Sequence, residues 1–127
     1  MIKIKNKLGQ TRIYFKKYKR KIYTKEKFET KKFYLKKSKP LFCGGLRFRG
    51  YFKDNIKDKP LISIIMPNFK CVDLEDAIKS ILKQNYENLE LIVMDGNSGR
   101  DTLKILKRYD QDIDIWISEK DNGMWDA

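Results

Sequence analysis

The chain has 127 residues, which bounds it to one modest domain or a small domain with an extension. It carries 29 Lys and Arg against 17 Asp and Glu, a net charge of +12, with no His and two Cys. Without His there is no Ser-His-Asp triad, Cys-His dyad, His-ligated zinc or HExxH centre, so any general acid or base is a carboxylate, Lys, Tyr or Cys.

Cys43 and Cys71 lie 28 positions apart with no CxxC, which indicates neither a disulfide framework nor a zinc ribbon. Both are expected to be unpaired and non-catalytic, and a reducing, cytoplasmic compartment follows as the expectation. The longest apolar stretch, Leu61 to Met66, is far below the roughly 20 residues that span a bilayer. The opening MIKIKNKLGQ has no apolar core of a secretory signal.

The charge is split along the chain. Residues 1–60 hold 21 Lys/Arg against 4 Asp/Glu, a net of +17, whereas residues 61–127 hold 8 against 13, a net of −5. The first part also carries 11 of the 16 aromatics, interleaved with Lys in RIYFKKYKRKIY and KKFYLKK. Such asymmetry marks two units, a basic aromatic-rich extension over 1–59 and a folded unit over 60–127. The boundary falls at Lys59-Pro60, because proline disfavours helix in the residue before it.

Taken in chain order, Phe15, Tyr18 and Ile22 fall at helical spacing, so residues 12–37 read as one or two short helices in a partly helical or disordered extension. SKPLFCGGLRFRG (38–50), with Pro40 and Gly44-Gly45, reads as loop. LISIIM (61–66), bounded by Pro60 and Pro67, predicts a buried strand. Leu74, Ala77, Ile78, Ile81 and Leu82 recur at helical spacing and predict an amphipathic helix over 74–84, with Asp73 as its N-cap. LELIVM (89–94) is a second strand running into Asp95-Gly96. Leu103, Leu106 and Tyr109 stripe a helix over 102–109, capped by Asp101, and IDIWIS (113–118) alternates as a third strand.

The order β-α-β-α-β calls for parallel strands with right-handed crossovers, in order 3-2-1 with the first strand a bare edge. That is an α/β fold, half of a doubly wound, Rossmann-like nucleotide-binding sheet. In such sheets ligands bind beyond the carboxyl ends of the strands. Three segments meet there: Pro67-Asn68-Phe69-Lys70, Asp95-Gly96-Asn97-Ser98-Gly99 and Glu119-Lys120-Asp121-Asn122-Gly123. The first crossover has neither GxGxxG nor a Walker A pattern, which argues against dinucleotide dehydrogenases and P-loop NTPases. An acid ending the second strand suits a ribose hydroxyl or a base N–H, although Asp-Gly-Asn-Ser is also ordinary turn sequence. Trp116 and Trp125 read as packing groups. Asp110, Asp112 and Asp114 alternate as a DxD does, but they precede or begin the third strand, at the wrong end of the sheet.

PLISIIMPNFK, SILKQNYENLELIVMDGNSG, TLKILKRYD and IDIWISEKDNGMWDA, in that order and spacing, resemble the start of family 2 glycosyltransferases, which have the GT-A fold. GGLRFRGYFK (44–53) is similar to the lead-in of members from bacterial surface-polysaccharide loci. The resemblance implies a donor nucleotide site at Pro67, Asn68, Phe69, Asp95, Gly96 and Asp121. In it the loop at Pro67 lies beside the base, and Gly96 sits where many relatives have a second Asp. Asp121, Gly123 and Asp126 match the stretch near the donor diphosphate. Lys70 stands for a usual Asn, Lys120 for a common Pro and Gly99-Arg100-Asp101 for a usual Thr-Asp-Gly.

The family's Asn-x-Gly, its metal-binding DxD, its acceptor half and its carboxylate base would follow Ala127. No catalytic or metal-binding residue is therefore assigned, Mg or Mn is expected only in a full-length relative, and the chain by itself is expected to be inactive. The implied partners are a nucleotide diphosphate sugar and a glycan or lipid-linked acceptor. For the basic segment the readings are a solvated extension, peripheral contact with an anionic membrane, and nucleic acid, the last being the least expected. A polyanion-binding module and a non-functional truncated product are the alternatives to the transferase reading.

Overall fold

The computed structural model describes residues 42–55 and 57–123, together with the backbone of three strands at 2–5, 11–14 and 21–26. Strands β1 (Ile2–Lys5), β2 (Thr11–Tyr14) and β3 (Lys21–Glu26) precede β4 (Phe42–Gly44), a 3₁₀ turn (Arg47–Arg49) and β5 (Tyr51–Lys53). Then come β6 (Ile62–Asn68), α1 (Leu74–Leu82), β7 (Leu89–Asp95), α2 (Arg100–Arg108) and β8 (Ile115–Ser118). Among the described residues these strands form two four-stranded sheets, one ordered β1-β2-β3-β5 and antiparallel throughout, the other ordered β4-β8-β7-β6.

The second sheet has the expected order. β6, β7 and β8 are parallel, in order 3-2-1, and β6 is the outermost strand. Right-handed crossovers that step the same way along a sheet leave their helices on one face. Leu74, Ile78 and Leu82 of α1 and Leu106 of α2 accordingly share one core with Leu91, Val93, Tyr109, Ile113 and Trp116. Burying a side chain of this kind contributes roughly 1.5–3 kcal/mol, so this shared stripe is what fixes the helices on the sheet.

Several expectations are corrected. The helices expected over 12–37 do not form where the structure describes that stretch, since 11–14 and 21–26 are strands; the remainder of it lies outside the described residues. Cross-strand pairing with β1 and β5 overrides the helical spacing of Ile22 with its neighbours. The loop expected over 38–50 contains β4, which pairs antiparallel with β8, and the 3₁₀ turn; residues 38–41 lie outside the described ones. Residues 61–66 do form a strand, but not a buried one: as the edge, β6 leaves Ile62 and Ile65 exposed and buries only Asn68 fully. Pro67 is accommodated within it because an edge strand tolerates a missing donor.

The helices differ at some of their ends. Asp73 is the N-cap of α1, as expected, although its side chain makes no cap bond, and α1 ends at Leu82, two residues early. The N-cap of α2 is Gly99, at φ 111°, which places Asp101 in the first turn, where its charge suits the positive helix end. The third strand begins at Ile115, two residues later than expected, because the Ile113 amide is held by Tyr109 O in the turn after α2.

Candidate donor-nucleotide site

Register builds the site. β6 pairs with β7 so that Asn68 lies opposite Asp95, and β7 pairs with β8 so that Asp95 lies opposite Ser118. The three parallel strands therefore end on one polar row at their carboxyl ends. All three members are buried, Asp95 to 2% exposure and Ser118 to 0%.

The Asp95 carboxylate is the centre of the row. Its Oδ1 accepts from Asn68 Nδ2 at 2.6 Å and from Ser98 Oγ at 2.5 Å. Its Oδ2 accepts from the Ser98 amide at 3.1 Å and from Ser118 Oγ at 2.7 Å. Four donors match the roughly four acceptor positions of a carboxylate. Ser98 Oγ also accepts from the Lys70 amide at 2.7 Å, which holds the left-handed turn at Lys70 (φ 49°) against the loop after β7. Backbone bonds complete the lock, from the Gly96 amide to Asn68 O and from the Glu119 amide to Asp95 O.

Above this row lies a more open layer. Phe69 is 64% exposed, with Lys70 Nζ 5.1 Å from its ring centroid. Gly96 is enclosed between Phe69 and Asp121: a Cβ built on it would sit 3.0 Å from Asp121 Oδ2 and 3.1 Å from Phe69 Cδ2. Asp121 is half-buried and accepts from the Gly123 amide at 3.0 Å, which aims its carboxylate along the loop. The missing side chain at Gly96 thus lets an aromatic face and an acceptor approach each other over bare backbone.

Of the residues singled out in the sequence, Phe69, Gly96 and Asp121 meet in this layer, while Asn68 and Asp95 form the buried row beneath it. Pro67 is exposed on β6, one residue short of the row. Asp126 and Trp125 lie outside the described residues. Sequence reasoning missed Ser98 and Ser118; the only signal was a polar residue closing an apolar strand at Ser118, and the register that gives it meaning is tertiary.

The carboxylates at the other end of β8 are structural. Asp110 Oδ1 accepts from the Gly45 amide and from Trp116 Nε1, both at 2.7 Å, and Asp114 Oδ2 accepts from Lys53 Nζ and the Leu91 amide. Trp116 is buried in the core, as expected of a packing group. Cys43 and Cys71 are both free and exposed. Desolvation of the thiol, with the Asp110 charge adding to it, pushes the Cys43 pKa up.

Comparisons with known proteins point to one family. The family model of glycosyl transferase family 2 matches residues 63–125. A GalNAc(5)-diNAcBac-PP-undecaprenol beta-1,3-glucosyltransferase of Campylobacter jejuni is 45% identical over 56 residues, covering 43% of this chain and 18% of that protein. A UDP-Glc:alpha-D-GlcNAc-diphosphoundecaprenol beta-1,3-glucosyltransferase of Escherichia coli is 38% identical over 68 residues, covering 52% of this chain and 27% of the relative. A putative teichuronic acid biosynthesis glycosyltransferase of Bacillus subtilis is 35% identical over 69 residues, covering 51% and 27%. The chain therefore spans about a fifth to a quarter of the length of these relatives. No solved structure matches it. Over residues 63–125, with the strand order and the polar row set out above, the chain is a member of glycosyltransferase family 2.

Proposed function

We propose that residues 60–127 form the donor-binding front of a glycosyltransferase that moves a sugar from a nucleotide diphosphate sugar to a glycan or lipid-linked acceptor. The observation that carries this reading is the convergence of Phe69, Gly96 and Asp121 at the carboxyl ends of β6, β7 and β8. A planar base resting on the exposed Phe69 ring gains a stacking contact, and Asp121 offers an acceptor for an N–H or O–H. The names of two relatives support the donor and acceptor classes, one specifying UDP-Glc and both specifying an undecaprenol-linked diphosphate.

These residues do not build a resident divalent-ion site. Asp95 has its acceptor positions filled by protein donors, Asp121 is a single carboxylate, and among the described residues no three His, Cys, Asp or Glu group to hold a metal. No step is assigned to a metal or to a catalytic base, and the 127-residue chain alone is proposed to bind donor without transferring sugar. Calorimetric titration with UDP, GDP and dTDP tests the reading. One of them should bind, and Asp121→Ala should weaken it about ten- to hundredfold, the worth of a hydrogen bond to a charged group. Failure of all three to bind the wild-type chain would remove the donor reading.

A second proposal concerns the basic segment. Residues 1–60 carry a net +17, and three strands of this segment, β1, β2 and β3, form an antiparallel sheet with β5. Among the described residues no helix is long and apolar enough to cross a membrane. We infer a cytoplasmic protein in peripheral contact with the anionic inner leaflet, where each Lys or Arg near the surface contributes about 1 kcal/mol. Co-sedimentation with anionic but not neutral liposomes, lost at high salt, is the expected result; equal retention on both would overturn it.

A further inference from the structure

We propose that Ser118 is a positioning residue for donor binding, acting through Asp95, and that Asp95 holds the site together without itself touching the ligand. The inference rests on the donor-site reading above and names how that site is kept in shape.

Asp95 has no acceptor position left to give. Its carboxylate accepts from Asn68 Nδ2, Ser98 Oγ, the Ser98 amide and Ser118 Oγ, and the residue is 2% exposed. A buried carboxylate with four donors has no free lone pair to offer a nucleotide and no open path to one. What it does instead is tie four pieces of chain at one point: the end of β6 through Asn68, its own strand β7, the following loop through Ser98, and the end of β8 through Ser118. Gly96, the next residue, carries the backbone over which Phe69 and Asp121 approach each other. A shift of the β7 end therefore moves the floor of the open layer.

Ser118 is the member that separates this role from plain packing. It is 0% exposed, its hydroxyl has Asp95 Oδ2 as its partner at 2.7 Å, and its strand leads three residues later to Asp121. The Glu119 amide, one residue on, donates to the Asp95 carbonyl at 3.0 Å. Ser118 thus registers β8, and with it the loop that bears Asp121, against the residue that precedes Gly96. Removing the hydroxyl leaves the strands paired and opens one acceptor position on Asp95, so the loop after β8 loses its side-chain registration while the sheet remains.

The test compares Ser118→Ala, Ser118→Thr and Asp121→Ala in the full 127-residue chain, using whichever of UDP, GDP or dTDP binds the wild type. Two readouts are taken, the dissociation constant and the exchange rates of the Gly96, Ser98 and Glu119 amides. Ser118→Ala should weaken binding about five- to tenfold and speed exchange at those amides, with amides of the α1 and α2 cores unchanged. Ser118→Thr, which keeps the hydroxyl, should restore both. Asp121→Ala should weaken binding with the three amides unaltered, because it removes a contact and not the lock. If Ser118→Ala binds as the wild type does, the positioning role is wrong while the donor reading stands. If the wild type binds none of the three nucleotides, the donor reading falls and takes this inference with it. Should Ser118→Thr fail to fold in the tight site, Asp95→Asn gives the second decision: binding loss with accelerated exchange at Gly96 and Ser98 supports the lock, and binding loss with unchanged exchange makes Asp95 a contact residue and overturns it.

Discussion

Lys53 Nζ lies 2.7 Å from Asp114 Oδ2, with each side chain only 1% exposed. The ammonium also donates to Leu89 O at 2.6 Å, and the same Asp114 oxygen accepts from the Leu91 amide at 2.8 Å. Lys53 belongs to β5, whose backbone pairs with β3 of the basic antiparallel sheet. One buried ion pair therefore joins the strand that closes the basic sheet to the start of β8 and to β7. Such a pair contributes little net stability against an apolar substitute, but breaking it strands a buried charge.

The first prediction follows from that asymmetry. Lys53→Met should destabilise the protein by about 3–5 kcal/mol, read from urea unfolding, because it removes the cation paired with the buried Asp114 carboxylate and leaves the Leu91 amide donating to it. Lys53→Met combined with Asp114→Asn should be less destabilised than Lys53→Met alone, since the amide oxygen still accepts from Leu91 and carries no charge. A double variant no better than the single one would mean that Lys53 acts by packing.

How much of this was legible beforehand depends on the range of the interaction. Leu74, Ile78 and Leu82 announce α1 because a helix's partners lie within its own turns, and the apolar runs 61–66 and 89–94 announce β6 and β7. β4 and β5 escaped because three-residue strands leave no periodicity, and Gly44-Gly45 looks like punctuation. Gly44 in fact lies where an added Cβ would meet Asp110 and Trp116, so its role is close packing against β8. In the site, Asp95 was readable as an acid closing a strand, but its four donors come from 68, 98 and 118, and only the register brings those numbers together.

Gly96 supports a second prediction. Gly96→Ala places a methyl 3.0–3.1 Å from the Asp121 carboxylate and the Phe69 ring, tighter than ordinary contact. Both neighbours are side chains on loops, so they yield before the sheet does. Nucleotide affinity should fall about tenfold while the urea midpoint changes little. A large loss of stability with unaltered affinity would show that Gly96 serves the fold and not the site.

The third prediction is a pH dependence. The Tyr109 hydroxyl donates to Glu75 Oε1 at 2.8 Å, and this bond, helped by Lys79 and Arg108 against the cost of desolvation, lowers the Glu75 pKa below the ordinary glutamate value. A depressed folded pKa contributes stability above the unfolded value, and that contribution is lost as pH falls through the folded one. The wild type should therefore lose stability on acidification below the ordinary carboxylate range. Tyr109→Phe should show a shallower loss from this group over the same window, measured as urea midpoints between about pH 7 and pH 3. Parallel pH profiles for the two proteins would remove the Tyr109–Glu75 link.

The last prediction concerns the outer edge of the second sheet. β6 is the terminal strand in the order β4-β8-β7-β6, so its outward N–H and C=O groups face no strand among the described residues. Ile62 at 45% and Ile65 at 64% exposure lie along it, with Phe69 and Val72 exposed just beyond. An uncovered edge that is also apolar is a template for pairing with another strand, and the single proline, Pro67, blunts only its carboxyl end. Ile65 is the residue to change. It points away from the face on which Ile64 and Met66 pack against the helices, so a charge there disturbs no core contact. The wild-type chain should self-associate with rising concentration, seen as a shift in sedimentation velocity. Ile65→Lys should keep it monomeric over the same range with an unchanged urea midpoint, since charge on an edge resists pairing without entering the core. A wild-type chain that stays monomeric at the highest concentration, or a lysine variant that associates equally, would show that this edge is not what brings copies together.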